Sequence, residues 1–293
     1  MSMHMRKKHL LPQVLFAILK APNGTDKSVP YGGFYMLEIK KFNEHISYFN
    51  VPYKDIYVDI YVIKTPDGAV LFDTAANDAD VDNYIVPALE QLGVKLTHVF
   101  ISHNHGDHAG GLARVAALYP DAKIVSRSKK LAETYPDILA LEDGQMLTEE
   151  LQVITIPGHT PDSAAIFDLR TNTLVTGDCL QSYGIYGSGY WYGAITLTAA
   201  HYAAVRKLRA LPIEHIATAH DYHPVGQFSH GADAVAARLD SCIGALERVR
   251  SFMDANPTLS DEELAQLCND GRLPKVASRV VAGLRKAAAE GAI

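Results

Sequence analysis

The densest cluster of chemistry-bearing residues in the chain reads His103-Asn104-His105-Gly106-Asp107-His108. An apolar run precedes it and Ala-Gly-Gly follows it, a context typical of a buried strand that ends in a loop before a helix. Imidazole and carboxylate are ligands that suit zinc or ferrous iron. His103 and His105, two positions apart, can share one ion. Asp107 and His108, just beyond, can turn towards a second, so the loop predicts a two-metal site.

Three later residues can complete such a site. His159 follows the strand-like run 151–156, Asp178 follows the apolar pair at 174–175, and His220 ends the run 213–220. Each therefore lies at the C-terminal end of a predicted strand, in or next to a Gly-rich or polar turn. Because loops at one edge of a sheet bring distant positions together, we expect these side chains to meet the 103–108 loop.

With these residues in view, the chain resembles the metallo-β-lactamase superfamily over roughly residues 57–220. The likeness rests on the H-x-H-x-D-H loop, a later lone His, an Asp and a final His, in the family's order. It implies an α/β protein, an αββα sandwich with a two-metal site along one edge. It also implies the ligand sets: His103, His105 and His159 for the first metal, Asp107, His108 and His220 for the second, and Asp178 as the bridge.

Two positions near this pattern each have an alternative interpretation. Asp73 corresponds to the family's early strand-end Asp, which braces the metal loop, although a turn or capping acid also fits this place. The final His of the family is often followed by Gly, whereas here Asp221 follows it and His223 comes soon after. Both His220 and His223 are therefore candidate ligands. We favour His220, because it directly ends the apolar strand.

The sequence pattern changes near residue 230, beyond which only helical patterns occur. We expect a metallo-β-lactamase-fold domain over residues 1–230 and a C-terminal helical extension over residues 231–293. Within the extension, residues 232–255 carry an amphipathic stripe and Ser260 opens a capping box. The extension could line the substrate cleft, form a homodimer contact, or simply pack against the sandwich.

Composition limits which classes of partner and which cellular location we expect. The 293 residues carry a net charge of −6 and no dense Lys/Arg run beyond residues 6–8, which disfavours nucleic acid and leaves a small-molecule substrate. Three widely spaced cysteines predict a reducing, cytoplasmic location. The basic start followed by an apolar run imitates a signal peptide, but Pro12 interrupts it. We interpret it as a short helix or arm, and no run has the length of a membrane span.

An aromatic segment at 182–193 begins four residues after Asp178 and mixes tyrosines with glycines. Glycine permits loop movement, and aromatic rings supply apolar contact area with polar tips. We expect it to cover the metals and bind the substrate; a packed surface loop is the alternative. The expected contact residues are Tyr183, Tyr186, Tyr190 and Trp191.

These observations predict a dinuclear metal-dependent hydrolase. Two divalent ions, zinc first with iron or manganese as alternatives, would share a hydroxide that attacks the carbonyl of an ester, thioester, lactone or lactam. Asp107 and Asp178 would take the catalytic carboxylate roles, and Asp107 would orient the nucleophile. The alternatives are a mononuclear iron sulfur dioxygenase, a nuclease and a non-catalytic metal-binding protein.

Overall fold

The computed structural model describes residues 37–190 and 193–293. The helix or arm predicted at the N-terminus, and Trp191, lie outside these residues. The first sheet has the order β1-β2-β3-β4-β5-β6, antiparallel up to β4 and parallel from β4 to β6. Its strands are β1 Lys40–Lys41, β2 Ile46–Tyr53, β3 Ile56–Thr65, β4 Gly68–Phe72, β5 Leu96–Phe100 and β6 Lys123–Val125.

The second sheet has the order β11-β10-β9-β8-β7, with β9 and β10 parallel and the other neighbours antiparallel. Its strands are β7 Leu151–Thr155, β8 Ala164–Asp168, β9 Thr173–Thr176, β10 His215–Tyr222 and β11 Gly226–His230.

Helical segments follow or separate the strands of both sheets. They are α1 Asp78–Asp80, a π-helical turn Val81–Ile85, α2 Val86–Leu92, α3 Gly106–Ala109, α4 Leu112–Leu118, α5 Lys129–Thr134, a 3₁₀ turn Asp178–Leu180, α6 Thr198–Leu208, α7 Ala232–Ala255, α8 Asp261–Asn269 and α9 Ser278–Ala289.

The buried clusters show that the helices and sheets are stacked in four layers. Side chains alternate across a strand, so the two faces of the first sheet bury different residues. One face carries Ile60, which shares a cluster with Leu89 of α2. The other face carries Phe72, which shares a cluster with Ile166 of the second sheet. The outer face of the second sheet contributes Phe167 to a cluster with the C-terminal helices. This arrangement confirms the predicted αββα sandwich.

The helices beyond residue 231 pack on that outer face. Leu239 of α7, Leu264 of α8 and Leu284 of α9 share one buried cluster with Ile216 of β10. The Ser260 capping box is present as predicted. A domain boundary at residue 230 stays a prediction. Across the described ranges, we find no helix with both the length and the apolar content that crossing a membrane requires.

Two local features differ from the expectation. Strand β2, residues 46–53, has no counterpart in the sequence interpretation, although it pairs with β3 over eight positions. Strand β10 does not end at His220 but continues to Tyr222, because Tyr222 pairs with Gly226 of β11 after a register shift. The bulged end of β10 thus carries two side chains towards the site instead of one.

Candidate metal centre

The strand ends bring the candidate ligands together at one edge of the sandwich. His103 lies three residues after β5, His159 follows β7, Asp178 follows β9, and His220 lies near the end of β10. Close approach of these segments depends on Gly177. A Cβ atom there would lie 2.3 Å from the Oγ of Ser102, so only glycine lets the β9 turn reach the metal loop.

A first group consists of His103, His105, His159 and Asp178, whose ligand atoms all lie within 4.8 Å of one another. The Nδ1 of His105 lies 3.0 Å from the Nε2 of His103 and 2.9 Å from the Nε2 of His159. The Oδ2 of Asp178 lies 3.5 Å from the Nε2 of His159. Three imidazoles and a carboxylate therefore face a common point.

A second group consists of Asp107, His108 and His220, again with ligand atoms within 4.8 Å of one another. The Oδ2 of Asp107 lies 3.6 Å from the Nε2 of His108 and 3.4 Å from that of His220. The other oxygen of Asp178, Oδ1, lies 3.3 Å and 3.5 Å from the same two nitrogens. Asp178 thus presents one oxygen to each group.

The second ring nitrogens of four histidines lie against oxygen atoms. The Nδ1 of His220 lies 2.6 Å from the carbonyl oxygen of Tyr57, and the Nδ1 of His159 lies 3.3 Å from that of Ala194. The Nδ1 of His103 lies 3.0 Å from the Oγ of Ser102. Partners of this kind set the ring orientation, so that Nε2 is the nitrogen offered to a metal.

Asp73 contacts the second ring nitrogen of the fourth histidine, His108, and braces the loop at 103–108. Its Oδ2 lies 2.7 Å from the Nδ1 of His108 and accepts a hydrogen bond of 2.8 Å from the hydroxyl of Ser102. Its Oδ1 accepts a hydrogen bond of 2.7 Å from the backbone N–H of Ser102. Asp73 is fully buried and its φ is 66°, a left-handed conformation that Asp tolerates better than most residues.

The donor set fits divalent metal ions. The Nε2 of His108 is buried without a hydrogen-bond partner among the described residues, although two carboxylates face it at 3.3–3.6 Å. A buried nitrogen in this state is costly unless something binds it. Imidazole nitrogen and carboxylate oxygen together suit zinc, iron or manganese.

The electrostatics of the two groups differ, and the first group suits a cation directly. Burial lowers the pKa of His103 and of His159, which leaves both imidazoles neutral with lone pairs available. Burial opposes protonation of His108 and His220 too, but the carboxylate of Asp178 helps to outweigh it and the pKa of each is raised. Burial also acts against ionisation of Asp178, yet the facing histidines hold its pKa well below the usual range. The carboxylate that faces both groups is therefore anionic.

Tyr222 joins this site and was missed by the sequence interpretation. Its hydroxyl donates a 2.8 Å hydrogen bond to the Oδ1 of Asp178, and its side chain is buried. Burial foremost, and then the charge of Asp178, raises the pKa of Tyr222 well above its usual value, so the hydroxyl keeps its proton. A signal for it exists in the sequence: residues two apart on a strand share a face, and Tyr222 is two residues from His220.

Gln181 was missed as well. Its Nε2 lies 3.2 Å from the Nδ1 of His159, and its Oε1 accepts a 3.4 Å hydrogen bond from the backbone N–H of Ala194. Gln181 therefore lies beside the His159 ring and hydrogen-bonds the chain that returns from the aromatic segment.

The described tyrosines of the aromatic segment lie beside the C-terminal helices. Tyr183 and Tyr190 stack with ring centroids 4.7 Å apart, and the backbone N–H of Tyr183 donates to the carbonyl of Ser241 in α7. Tyr186 is 54% exposed and lies against Arg279. The described part of the segment is thus anchored to the extension. His223, the alternative ligand, is exposed and belongs to neither ligand group.

Comparison with known proteins places this arrangement in context. The model of the metallo-β-lactamase superfamily matches residues 53–220, more than half of the chain. The atrochrysone carboxyl ACP thioesterase of Paecilomyces divaricatus is 25% identical over 224 residues, 73% of this chain and 67% of that protein. The hydroxyacylglutathione hydrolase of Rhodopseudomonas palustris is 30% identical over 166 residues, 55% of this chain and 62% of that protein. The matches thus span about two thirds of these relatives.

Solved structures agree on the fold. The metallo-β-lactamase DIM-1 superposes with a TM-score of 0.56 at 16% identity, covering 72% of this chain and 99% of that one. The metallo-β-lactamase FIM-1 of Pseudomonas aeruginosa, in its mono-zinc form, gives 0.55 at 16% identity and covers 72% of this chain and 96% of that one.

Proposed function

The chain belongs to the metallo-β-lactamase superfamily, and from that premise we propose that it is a dinuclear metal-dependent hydrolase that cleaves a carbonyl bond of a small molecule. The observation that carries this proposal is the position of Asp178. Its two oxygens face two separate groups of ligand atoms, each rich in histidine. A carboxylate in that position suits two neighbouring ions better than one.

Zinc is the metal we propose first. The histidine-rich donor set favours it, and the structurally similar FIM-1 enzyme carries zinc. When bound, the ions supply a nucleophilic water at neutral pH and polarise the carbonyl oxygen. Asp107, the partly exposed acid of the second group, orients the attacking water and accepts its proton at a carboxylate oxygen. Asp178 holds the spacing of the two groups.

Among carbonyl substrates we place thioesters first and keep esters, lactones and lactams as alternatives. The support is that one similar protein is named a thioesterase and another a hydroxyacylglutathione hydrolase. The net charge of −6 supports a small-molecule substrate over a nucleic acid, and three buried free cysteines support a reducing, cytoplasmic location.

The test combines elemental analysis of the purified protein with a panel of thioester, ester, lactone and β-lactam substrates. We expect about two ions per chain and hydrolysis of at least one carbonyl class. Asp178→Ala should lose the second ion first and most of the turnover. Asp162→Ala is the matched control, because Asp162 accepts a hydrogen bond from the backbone N–H of Asn104 but belongs to neither ligand group.

Other outcomes would identify the alternatives. A single iron per chain, together with oxygen consumption on a persulfide, would indicate the sulfur dioxygenase. Cleavage of phosphodiesters alone would indicate a nuclease. An Asp178→Ala protein that keeps two ions and normal turnover would refute the bridge.

A further inference from the structure

Two histidines face each other on the second sheet, outside both ligand groups of the metal centre. His215 is the first residue of β10, and His230 is the last residue of β11. The two residues are direct partners in the antiparallel ladder, which places their side chains on the same face of the sheet. Their Nδ1 atoms lie 3.3 Å apart. Because His230 is exposed and His215 is half-buried, both rings are accessible from solvent.

This histidine pair is separate from the metal centre. His215 lies five positions before His220 on β10, and a strand rises about 3.3 Å per residue, so the two positions are about 16 Å apart. Among the described residues, no further His, Cys, Asp or Glu joins the pair to make a group of three ligands. The pair therefore offers two nitrogen donors and leaves the other positions of a bound ion to water.

Aromatic side chains hold both imidazole rings in place. The ring of Phe42, between β1 and β2, stacks on that of His230 with centroids 5.0 Å apart and an interplanar angle of 23°. It also meets the ring of His215 edge-on at 6.2 Å. Phe228 of β11 lies 5.3 Å from Phe42 and extends this packing. Since the rings are ordered before an ion arrives, binding costs little side-chain entropy.

The separation of the two nitrogens matches tetrahedral coordination. Zinc binds imidazole nitrogen at about 2.0–2.1 Å in a tetrahedral arrangement, which puts two ligand atoms about 3.3–3.4 Å apart. The observed 3.3 Å lies in that range. Neighbouring ligands of a square-planar copper(II) ion at the same bond length would be only about 2.8–3.0 Å apart. A hydrogen bond between the imidazoles is the competing explanation, but N–H donors usually lie about 2.7–3.2 Å from their acceptors.

We propose that His215 and His230 bind a zinc ion through their Nδ1 atoms, at a site distinct from the metal centre. Such an ion connects the start of β10 to the end of β11, just before α7 begins at Ala232. It stabilises the sheet edge where the C-terminal extension starts, because an ion that binds only the folded chain favours folding. Neither ligand belongs to the proposed catalytic groups, so zinc binding here is independent of hydrolysis.

Zinc titration of the full-length protein tests the proposal. Protein whose metal centre is already loaded with zinc is titrated with more zinc, in competition with a chromophoric chelator. We expect the wild type to bind a further ion. His215→Gln and His230→Gln should each weaken this binding at least about tenfold, because each removes a ligand, and loss of even a partner of a ligand costs about 10–100-fold.

His98→Gln is the matched control. His98 is also a half-buried histidine on a strand, β5 of the first sheet, but its Nδ1 lies 3.1 Å from the hydroxyl of Thr97 and not from a second imidazole. This variant should bind the further ion as the wild type does. Absence of the ion from the wild type, its full retention by either variant of the pair, or an equal loss in His98→Gln would each overturn the proposal.

Thermal unfolding measures the effect of this ion on stability. Further zinc should raise the Tm of the metal-loaded wild type and of His98→Gln, and leave that of His230→Gln unchanged. An equal rise in all three proteins would overturn the proposal. Zinc content before the titration, together with turnover, tests the proposed function separately. If the protein hydrolyses no substrate, comparison of the wild type with His215→Gln and His230→Gln still decides whether the pair binds zinc.

Discussion

Replacing Tyr222 with phenylalanine tests whether a buried phenol tunes the metal centre. The hydroxyl of Tyr222 donates to the Oδ1 of Asp178, the same oxygen that faces His108 and His220 at 3.3 Å and 3.5 Å. Without this donor the carboxylate can rotate away from the second group. His103 and His159 of the first group keep their own partners, so the first ion should be held as before.

The expected loss of metal affinity follows from the kind of hydrogen bond that is removed. A hydrogen bond to a charged acceptor contributes about 1.5–3 kcal/mol, and tenfold in a binding constant corresponds to about 1.4 kcal/mol. Loss of a partner of a metal ligand typically weakens metal binding about 10–100-fold, which agrees with that range. We therefore expect Tyr222→Phe to weaken binding of the second ion by about 10–100-fold and of the first by less than about threefold.

Competition with a chromophoric chelator measures both affinities, and elemental analysis gives the stoichiometry. Tyr61→Phe is the control, because Tyr61 is equally buried and its hydroxyl donates a 2.6 Å hydrogen bond to the backbone carbonyl of Thr218 in β10, not to a ligand. Both variants lose a buried hydroxyl next to the same strand. A second-ion affinity in Tyr222→Phe within about twofold of that in Tyr61→Phe would refute the reasoning.

Two further predictions concern the ligands and the backbone beneath them. His220→Ala should lose the second ion and most activity, whereas His223→Ala should keep both ions, because only His220 faces Asp107. Elemental analysis of the two variants measures this difference. The reverse result would assign the ligand to His223. Gly177→Ala should lower the free energy of unfolding by about 1–3 kcal/mol, since its Cβ would meet Ser102. Thermal unfolding should show no such loss for Gly244→Ala, whose Cβ meets nothing within 4 Å, and equal losses would contradict the packing argument.

The fold and the ligands could largely be predicted because each ligand follows a strand of clear pattern. Strands β7, β9 and β10 occur where the apolar runs 151–156, 174–175 and 213–220 placed them. Strand β2 was missed because it contains Pro52, and a proline within a run argues against a strand. Its position comes from pairing with β3 over its whole length, which is a tertiary effect.

The residues around the ligands were harder to predict than the ligands themselves. The two-residue spacing from His220 indicates which face of β10 carries Tyr222, but it does not indicate the contact with Asp178, which lies 44 positions earlier, after β9. Arg279 reaches the aromatic segment only because α9 folds back on the second sheet. In both cases the contact depends on how elements pack, which spacing along the chain does not determine.

Part of the support of the metal centre comes from backbone atoms and leaves no residue pattern in the sequence. The Nδ1 atoms of His220 and His159 are held by the backbone carbonyls of Tyr57 and Ala194. Any residue type offers a carbonyl at those positions, so the contact depends on backbone path alone. These two contacts by themselves therefore do not restrict which side chain stands at 57 or at 194. A substitution at Asp73 has no such freedom, because its carboxylate itself contacts His108. Sequence reasoning can find support that a side chain such as Asp73 gives, but not support that a backbone carbonyl gives.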